Sequence, residues 1–265
     1  MKDTEPTESP FSKCLFSGLN VVVTGAGRGI GAAIAEEFVS HGANLFAHMG
    51  VSEKSTSAHT FSADKYQQQC TAAYADLSTD QGIEGLVTEI SAKFPKIDVL
   101  VNNAGTMFGR VMADDMSGAH YDKVMDLNAR SVVVLTTALL PLLKRSGSGS
   151  IINTTSISAT TGGSPGSSIY SASKAFISTY TRSLARELAP HNIRVNALSP
   201  GTIDTDFHTR YSSKEKLKAT ARAIPLGRLG TPQDCAPACL FFASHRLSGY
   251  ITGQILEING GQLMG

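Results

Sequence analysis

The chain has 265 residues, with 23 Lys and Arg against 22 Asp and Glu, a net charge of +1 and no Trp. At 42% hydrophobic and 17% charged it has the composition of a globular protein, not of a disordered or fibrous one. The near-neutral balance leaves no electrostatic footprint for nucleic acid or for an anionic membrane surface, and neither is expected as a partner.

Residues 1–16 are polar and carry Asp3, Glu5 and Glu8, without the basic start and apolar run of a secretory signal, so they read as a flexible tail. Residues 17–265 contain no linker composition and no repeat period, and they read as one domain. The first apolar, β-branched run, Leu19 to Thr24, predicts a strand ending at Gly25. Residues 29–41 place Ile30, Ala33, Ile34, Phe38 and Val39 at helical spacing, with Gly42 where a helix would stop. A second strand is expected at 43–48. Further strands are expected near 71–75, 97–101, 149–154, 193–198 and 254–258, and helices near 79–93, 117–144, 168–189 and 232–244. That alternation implies right-handed βαβ units. The expected fold is an α/β, Rossmann-type, doubly wound parallel sheet with helices on both faces.

Two stretches break the alternation. Residues 50–66 are polar and irregular. Residues 202–222 follow Pro200-Gly201 at the carboxyl end of a strand, where an insertion is well placed to act as a lid. No apolar stretch reads as a bilayer span. Cys14, Cys70, Cys235 and Cys239 form no Cys-x-x-Cys pair, so they read as buried small residues, with no metal site and a reducing, cytoplasmic location expected.

The chemistry begins at Thr24-Gly25-Ala26-Gly27-Arg28-Gly29-Ile30-Gly31, between the first strand and the first helix. Glycines allow a tight turn and close approach of a pyrophosphate, and a helix N-terminus offers free N–H groups with partial positive charge. A tight turn alone would also explain the glycines, but the flanking strand and helix are the ones a dinucleotide cradle requires.

This loop, with Asn102-Asn103-Ala104-Gly105, Asn128, Ser156, Tyr170-Ser171-Ala172-Ser173-Lys174 and Pro200-Gly201 in that order, resembles the short-chain dehydrogenase/reductase family from about residue 17 to the C-terminus. The resemblance implies a hydride exchange between NAD(P)(H) and a carbonyl or alcohol carbon. It implies a cofactor site at Gly25, Gly27, Arg28, Gly29, Ile30 and Gly31, with Asp76 and Leu77 at the adenine and Asn102, Ala104 and Gly105 along the groove. Pro200, Gly201, Ile203 and Thr205 would lie near the carboxamide, with Thr202 in the same turn. It also implies a homotetramer built through the helices at 117–144 and 168–189.

Tyr170 and Lys174 stand one helical turn apart on one face. A phenol near its ordinary pKa of about 10 is a poor acid at neutral pH, and a nearby ammonium is expected to lower it. The resemblance makes Tyr170 the acid in reduction and the base in oxidation. Lys174 would hold the nicotinamide ribose, Ser156 would bond the substrate oxygen, and Asn128 would support a water-linked proton path. The loop between Ser156 and Tyr170 is one residue longer than in many relatives, which leaves Thr155 and Ser158 as competing hydroxyls.

An acid ending the second strand would hold a ribose 2′-hydroxyl. Met49 stands there instead, and the nearest acid is Glu53. With Arg28 as phosphate partner and His48, Ser52 and Lys54 behind it, NADP(H) is favoured and NAD(H) is the alternative.

For the substrate, Arg110 and a lid carrying His208, Arg210, Lys214, Lys216, Lys218 and Arg222 suit an anion, and Gly162 and Gly163 leave room near the site. A solvated helix would explain the same charges. Two family branches look closest, the reductases of keto sugar acids such as 4-deoxy-5-keto-hexuronates and the 3-oxoacyl-carrier-protein reductases. In the second branch Lys144, Arg145 and Arg186 would dock an acidic carrier. A dinucleotide-binding sensor without turnover is the alternative outside enzymes, and the presence of the whole catalytic set argues against it.

Overall fold

In the computed structural model, residues 14–51 and 60–264 are described. The strands β1 (Asn20–Thr24), β2 (Asn44–His48), β3 (Cys70–Ala73), β4 (Val99–Asn102), β5 (Ser150–Thr154), β6 (Arg194–Pro200) and β7 (Ile255–Ile258) form one sheet in the order β3-β2-β1-β4-β5-β6-β7. Every pairing is parallel. Strands such as β1, Asn-Val-Val-Val-Thr, are buried along their whole length, which is why they read as continuous apolar runs and not as alternations.

The helices are α1 (Gly29–Ser40), α2 (Asp80–Lys93), α3 (Gly118–Met125), α4 (Ser131–Lys144), α5 (Ser158–Thr161), α6 (Ser168–Leu188), α7 (Asp206–Tyr211), α8 (Lys214–Ala223), α9 (Pro232–Ala243) and α10 (His245–Ser248). One core lies where α1 and α9 pack on the sheet around Ile34, Phe38, Val23 and Phe242. The other holds Leu86 and Ile90 of α2, Leu135 and Leu139 of α4 and Leu184 of α6 against Val22, Leu100 and Ile151. Strand order reverses between β1 and β4, the place where a parallel sheet opens a crevice beyond its carboxyl ends.

The structure departs from the sequence reading in four places. The helix expected at 117–144 is interrupted by a π-helical turn, Asp126–Arg130, between α3 and α4. The continuous Gly118–Lys144 rod is, contrary to expectation, long and apolar enough to cross a bilayer. Half of its apolar window is buried, and it packs on α2 and α6, so core burial accounts for part of its composition. The stretch 202–222 contains α7 and α8. Cys14 is exposed, while Cys235 and Cys239 are buried and their thiols are pushed up by desolvation. Of the irregular 50–66 segment, a 3-10 turn at Ala63–Tyr66 is described; Ser52, Glu53 and Lys54, and the 1–13 part of the tail, lie outside the described residues.

Candidate active site

The carboxyl ends of β1, β4, β5 and β6 meet at one rim, and each delivers part of the site. After β1 the chain turns at Gly25, whose φ of 66° favours glycine. A Cβ on Gly31 would stand 2.0 Å from the Gly25 carbonyl oxygen, and one on Gly27 would stand 2.5 Å from the Met49 oxygen. The backbone is thus packed as tightly as glycine permits. Arg28, extended at the N-cap of α1, makes no side-chain cap, and the first turn holds no acid. The leading N–H groups of α1 are left to an outside anion. These features fit a dinucleotide pyrophosphate.

Three side chains hold this loop, those of Thr24, Asn103 and His48. Asn103 donates from Nδ2 to the carbonyls of Thr24 and Gly25 at 3.1 and 3.2 Å, and its N–H donates to Thr24 Oγ1 at 3.0 Å. Sequence reasoning passed over Asn103 in favour of its neighbour. Asn102 instead points into the interior, donating to Thr136 Oγ1 and Asn153 Oδ1 at 3.0 and 2.9 Å, so its side chain ties β4 to β5 and α4 and does not line the groove. The doubled Asn gave no sign of which member faced out.

The third is His48, expected behind Arg28 as a phosphate partner. It is 3% exposed. Its Nδ1 accepts from the Gly25 N–H at 3.1 Å and its Nε2 bonds the Ala75 carbonyl at 3.0 Å, so both nitrogens are engaged with backbone. Burial lowers its pKa and keeps it neutral. His48 is a brace of the loop, not a phosphate ligand.

Asp76 follows β3 and accepts from the Ser78 N–H and hydroxyl at 3.0 and 2.6 Å. The Leu77 side chain is buried in the core, leaving its backbone as the part able to face an adenine. Ala104 follows Asn103, and its N–H donates to Thr24 Oγ1 at 3.1 Å.

Tyr170 and Lys174 lie in the first two turns of α6. Lys174 Nζ donates to the Thr154 carbonyl at 2.9 Å and stands 5.9 Å from the centre of the Tyr170 ring. Burial lowers the ammonium to about 8. The Tyr170 phenol is raised by burial to about 12, and the Ser156 hydroxyl beside it acts in the opposite direction. This reverses the expected direction. The phenolate's desolvation outweighs the other influences, and the phenol keeps its proton at neutral pH.

The structure separates two of the three hydroxyls competing after β5. Thr155 Oγ1 donates to the Leu198 carbonyl at 3.0 Å and is buried. Ser156 is the one beside the Tyr170 phenol, and its Oγ donates to Ser158 Oγ at 3.2 Å. Asn128 sits in the π-helical turn, donating to the carbonyls of Thr106 and Val124, both at 2.8 Å. Its Oδ1 is buried without a protein partner. A Cβ on Gly105 would lie 2.6 Å from that oxygen and 3.2 Å from Lys174 Nζ, so the amide and the ammonium converge beneath Gly105.

After β6, the Gly201 N–H donates to Ile258, and Thr202 faces Gln262, its N–H donating to Oε1 at 3.1 Å. The Ile203 side chain is buried near Gly230. Thr205 Cγ2 lies 3.3 Å from where a Cβ on Gly29 would be, so the start of α7 rests on the glycine loop. The rest of α7 covers the catalytic tyrosine. The ring of Phe207 stands 5.5 Å from that of Tyr170, with His208 and Tyr211 edge-on to Phe207 at 5.2 and 5.0 Å. In the sequence Phe207, with His208, contributes only to the likeness to the sugar-acid branch, and no role for its ring over the tyrosine is expected. His208 is lowered to about 4 by desolvation and by Arg110. Gly162 and Gly163 both have positive φ, 78° and 75°, and the Gly162 carbonyl accepts from Ser171 Oγ at 2.8 Å. Arg110 donates to the carbonyls of Tyr211 and Pro165, both at 3.0 Å.

Comparison with known proteins agrees with this geometry. A family profile described as enoyl-(acyl carrier protein) reductase matches residues 25–262. The chain is 38% identical over 241 residues to a 3-oxoacyl-[acyl-carrier-protein] reductase of Chlamydia muridarum, covering 91% of this chain and 95% of that protein. Among solved structures it is similar to an NADH-dependent reductase responsible for alginate metabolism, at 37% identity and a TM-score of 0.82, covering 95% of this chain and 100% of the other. It is also similar to an NAD(P)-dependent gluconate 5-dehydrogenase, so described, from Beutenbergia cavernae with bound NADP, at 33% identity and a TM-score of 0.85, covering 96% and 99%.

Proposed function

Because the chain belongs to the short-chain dehydrogenase/reductase family, we propose that this oxidoreductase reduces the carbonyl of a keto sugar acid, of the 4-deoxy-5-keto-hexuronate kind, with NADP(H) favoured over NAD(H). The observation that carries the reaction is the meeting of Ser156 and the Tyr170 phenol at the carboxyl rim, with Lys174 and the Asn128 oxygen converging behind it. When bound, the nicotinamide supplies the hydride. Ser156 orients the carbonyl oxygen, and Tyr170, protonated at neutral pH, donates to it as charge develops. Lys174, fixed on Thr154, presents its ammonium to the groove, and α7 excludes water through Phe207.

Two observations support an acidic substrate. Arg110, His208 and Lys216 gather where the lid meets the loop after β4, close enough for Arg110 to disfavour charge on the other two. The alginate-metabolism reductase is also among the similar structures. NADP(H) is favoured because Arg28 is exposed at the loop and no acid ends β2. The second reading, reduction of a 3-oxoacyl thioester on a carrier, is favoured by the identity to curated 3-oxoacyl reductases and by the exposed Lys144, Arg145 and Arg186. Assembly as a homotetramer through α4 and α6 and a cytoplasmic location complete the proposal.

The test is initial rates of NADPH and NADH oxidation with a 4-deoxy-5-keto-uronate and with an acetoacetyl thioester. Preference for the keto-uronate supports the first reading. Preference for the thioester replaces it with the second.

A further inference from the structure

The sequence counts Arg210 only within the general excess of cations on the lid, and the catalytic geometry gives it no part of its own. Arg210, in the last turn of α7, lines a hollow of about 460 Å3 together with Gly109, Arg110, Tyr211, Ser212 and Ser213. The hollow lies where the loop after β4 meets the lid. The same Arg110 reaches the loop before Tyr170, through Pro165, and the lid, through Tyr211, so it joins the segments that surround the catalytic hydroxyl. Two guanidiniums thus face one open space. Neither is strongly paired. Arg110 forms no ion pair with a carboxylate among the described residues, and its two bonds to carbonyls leave other N–H groups available. Arg210 meets Asp206 at 3.6 Å, beyond a good charge-assisted hydrogen bond, and both groups are solvent-accessible.

Like charges gathered at a cleft raise the local concentration of an anion and favour holding it, and Asp206 beside Arg210 offsets no more than one of these two. The planar fork of arginine matches a carboxylate. We propose that Arg210 and Arg110 form a two-part clamp for the carboxylate of the substrate, Arg110 from the body and Arg210 from the lid. Carboxylate binding then bridges the two parts and holds the lid over Tyr170. The inference rests on the keto-acid reading for its ligand, and names Arg210 as a specificity-determining residue of that site. Arg28 of the glycine loop also feels the charge of Arg210. The competing assignment is therefore that Arg210 serves a cofactor phosphate.

The test uses Arg210→Gln and Arg110→Gln in the full chain with saturating NADPH. The readout is the ratio of kcat/KM for the keto-uronate to that for its neutral primary amide. One charge-assisted hydrogen bond corresponds to about a tenfold change or more, so each variant should lower the ratio by about tenfold. An unchanged ratio overturns the clamp. So does an Arg210→Gln defect that appears in the KM for NADPH and not in the ratio. A second measurement is independent of turnover: calorimetric binding of methyl glucuronoside, a sugar acid whose anomeric carbon is blocked, to the protein with NADP, with methyl glucoside as the neutral counterpart. Methyl glucuronoside should bind more tightly than methyl glucoside, and both variants should remove the difference. Methyl glucuronoside binding that the variants leave intact, or no binding at all, overturns the clamp. Clamp-dependent methyl glucuronoside binding in a protein that does not reduce the keto-uronate would retain the site and remove the proposed substrate.

Discussion

At the scale of single residues, the site depends on groups whose surroundings decide their chemistry. Tyr170 is the clearest case. Its phenol is held up to about 12 by burial, so it enters the reaction as a proton donor. Tyr170→Phe removes that proton and keeps the ring that Phe207 packs against. Turnover should fall by about a hundredfold to ten-thousandfold, the usual contribution of a positioned general acid. Cofactor binding, followed by calorimetry, should persist. Equal turnover would remove Tyr170 from the mechanism. Gly31 makes a different demand. A Cβ there would meet the Gly25 carbonyl at 2.0 Å, a backbone contact that cannot be relieved by turning a side chain. Gly31→Ala should therefore displace the loop, lower the Tm and weaken NADPH binding in titration. Alanine tolerated without loss of affinity would mean that the loop does not set the phosphate position. The glycine spacing was readable in the sequence because steric need leaves few residue choices. The division of labour between Asn102 and Asn103, or the capture of His48 by backbone on both sides, was not, since both depend on which way a side chain points once three strands are brought together.

At the scale of elements, most of the sheet was legible because its strands are short, apolar and bounded by turns. β4, expected at 97–101, is Val99–Asn102, and β6, expected at 193–198, extends to Pro200. What periodicity hid was the π-helical turn at Asp126–Arg130, since one extra residue in a turn barely changes an apolar pattern. It also hid α7 and α8, which are largely polar and whose residues are at most half-buried. The lid has its own pH signature. His208 is lowered to about 4 from its ordinary value of 6.5 by burial. Below 6.5 the unfolded chain takes up a proton that the folded chain refuses. The stability His208 contributes is thus complete above pH 6.5 and is lost as pH falls toward 4. His48 is lowered in the same direction and remains in any lid variant. His208→Gln should accordingly show a smaller fall in Tm between neutral pH and pH 5 than the parent chain. Identical slopes would place His208 in water, with α7 not seated on Phe207 and Tyr170.

At the scale of the whole molecule, two surfaces are unfinished. The Gly118–Lys144 rod is apolar enough to resemble a membrane span, yet only half of that window is buried within the chain. Beside it, α6 exposes Phe176, 43% accessible, stacked on Tyr180 at 5.9 Å. An aromatic pair held in one orientation at low entropy cost is better suited to contact with a further surface than to water. The proposed tetramer would cover it with a second copy of the same helices, a self-complementary contact of the kind two-fold symmetry produces. The other face, at the edge strand β7, leaves Leu256 exposed, with Tyr250 and Met264 nearby in sequence. A free sheet edge of this kind is a second natural place for pairing. If α4 and α6 form the first interface, Phe176→Glu places a charge in its centre. Light scattering should then report dimers or monomers where the parent chain gives four copies. Because α6 also carries Tyr170 and Lys174 on its opposite part, loss of assembly should loosen that helix and lower the Tm as well. A parent chain that is monomeric at micromolar concentration would remove the assembly, and the apolar rod would then need another partner for its uncovered half.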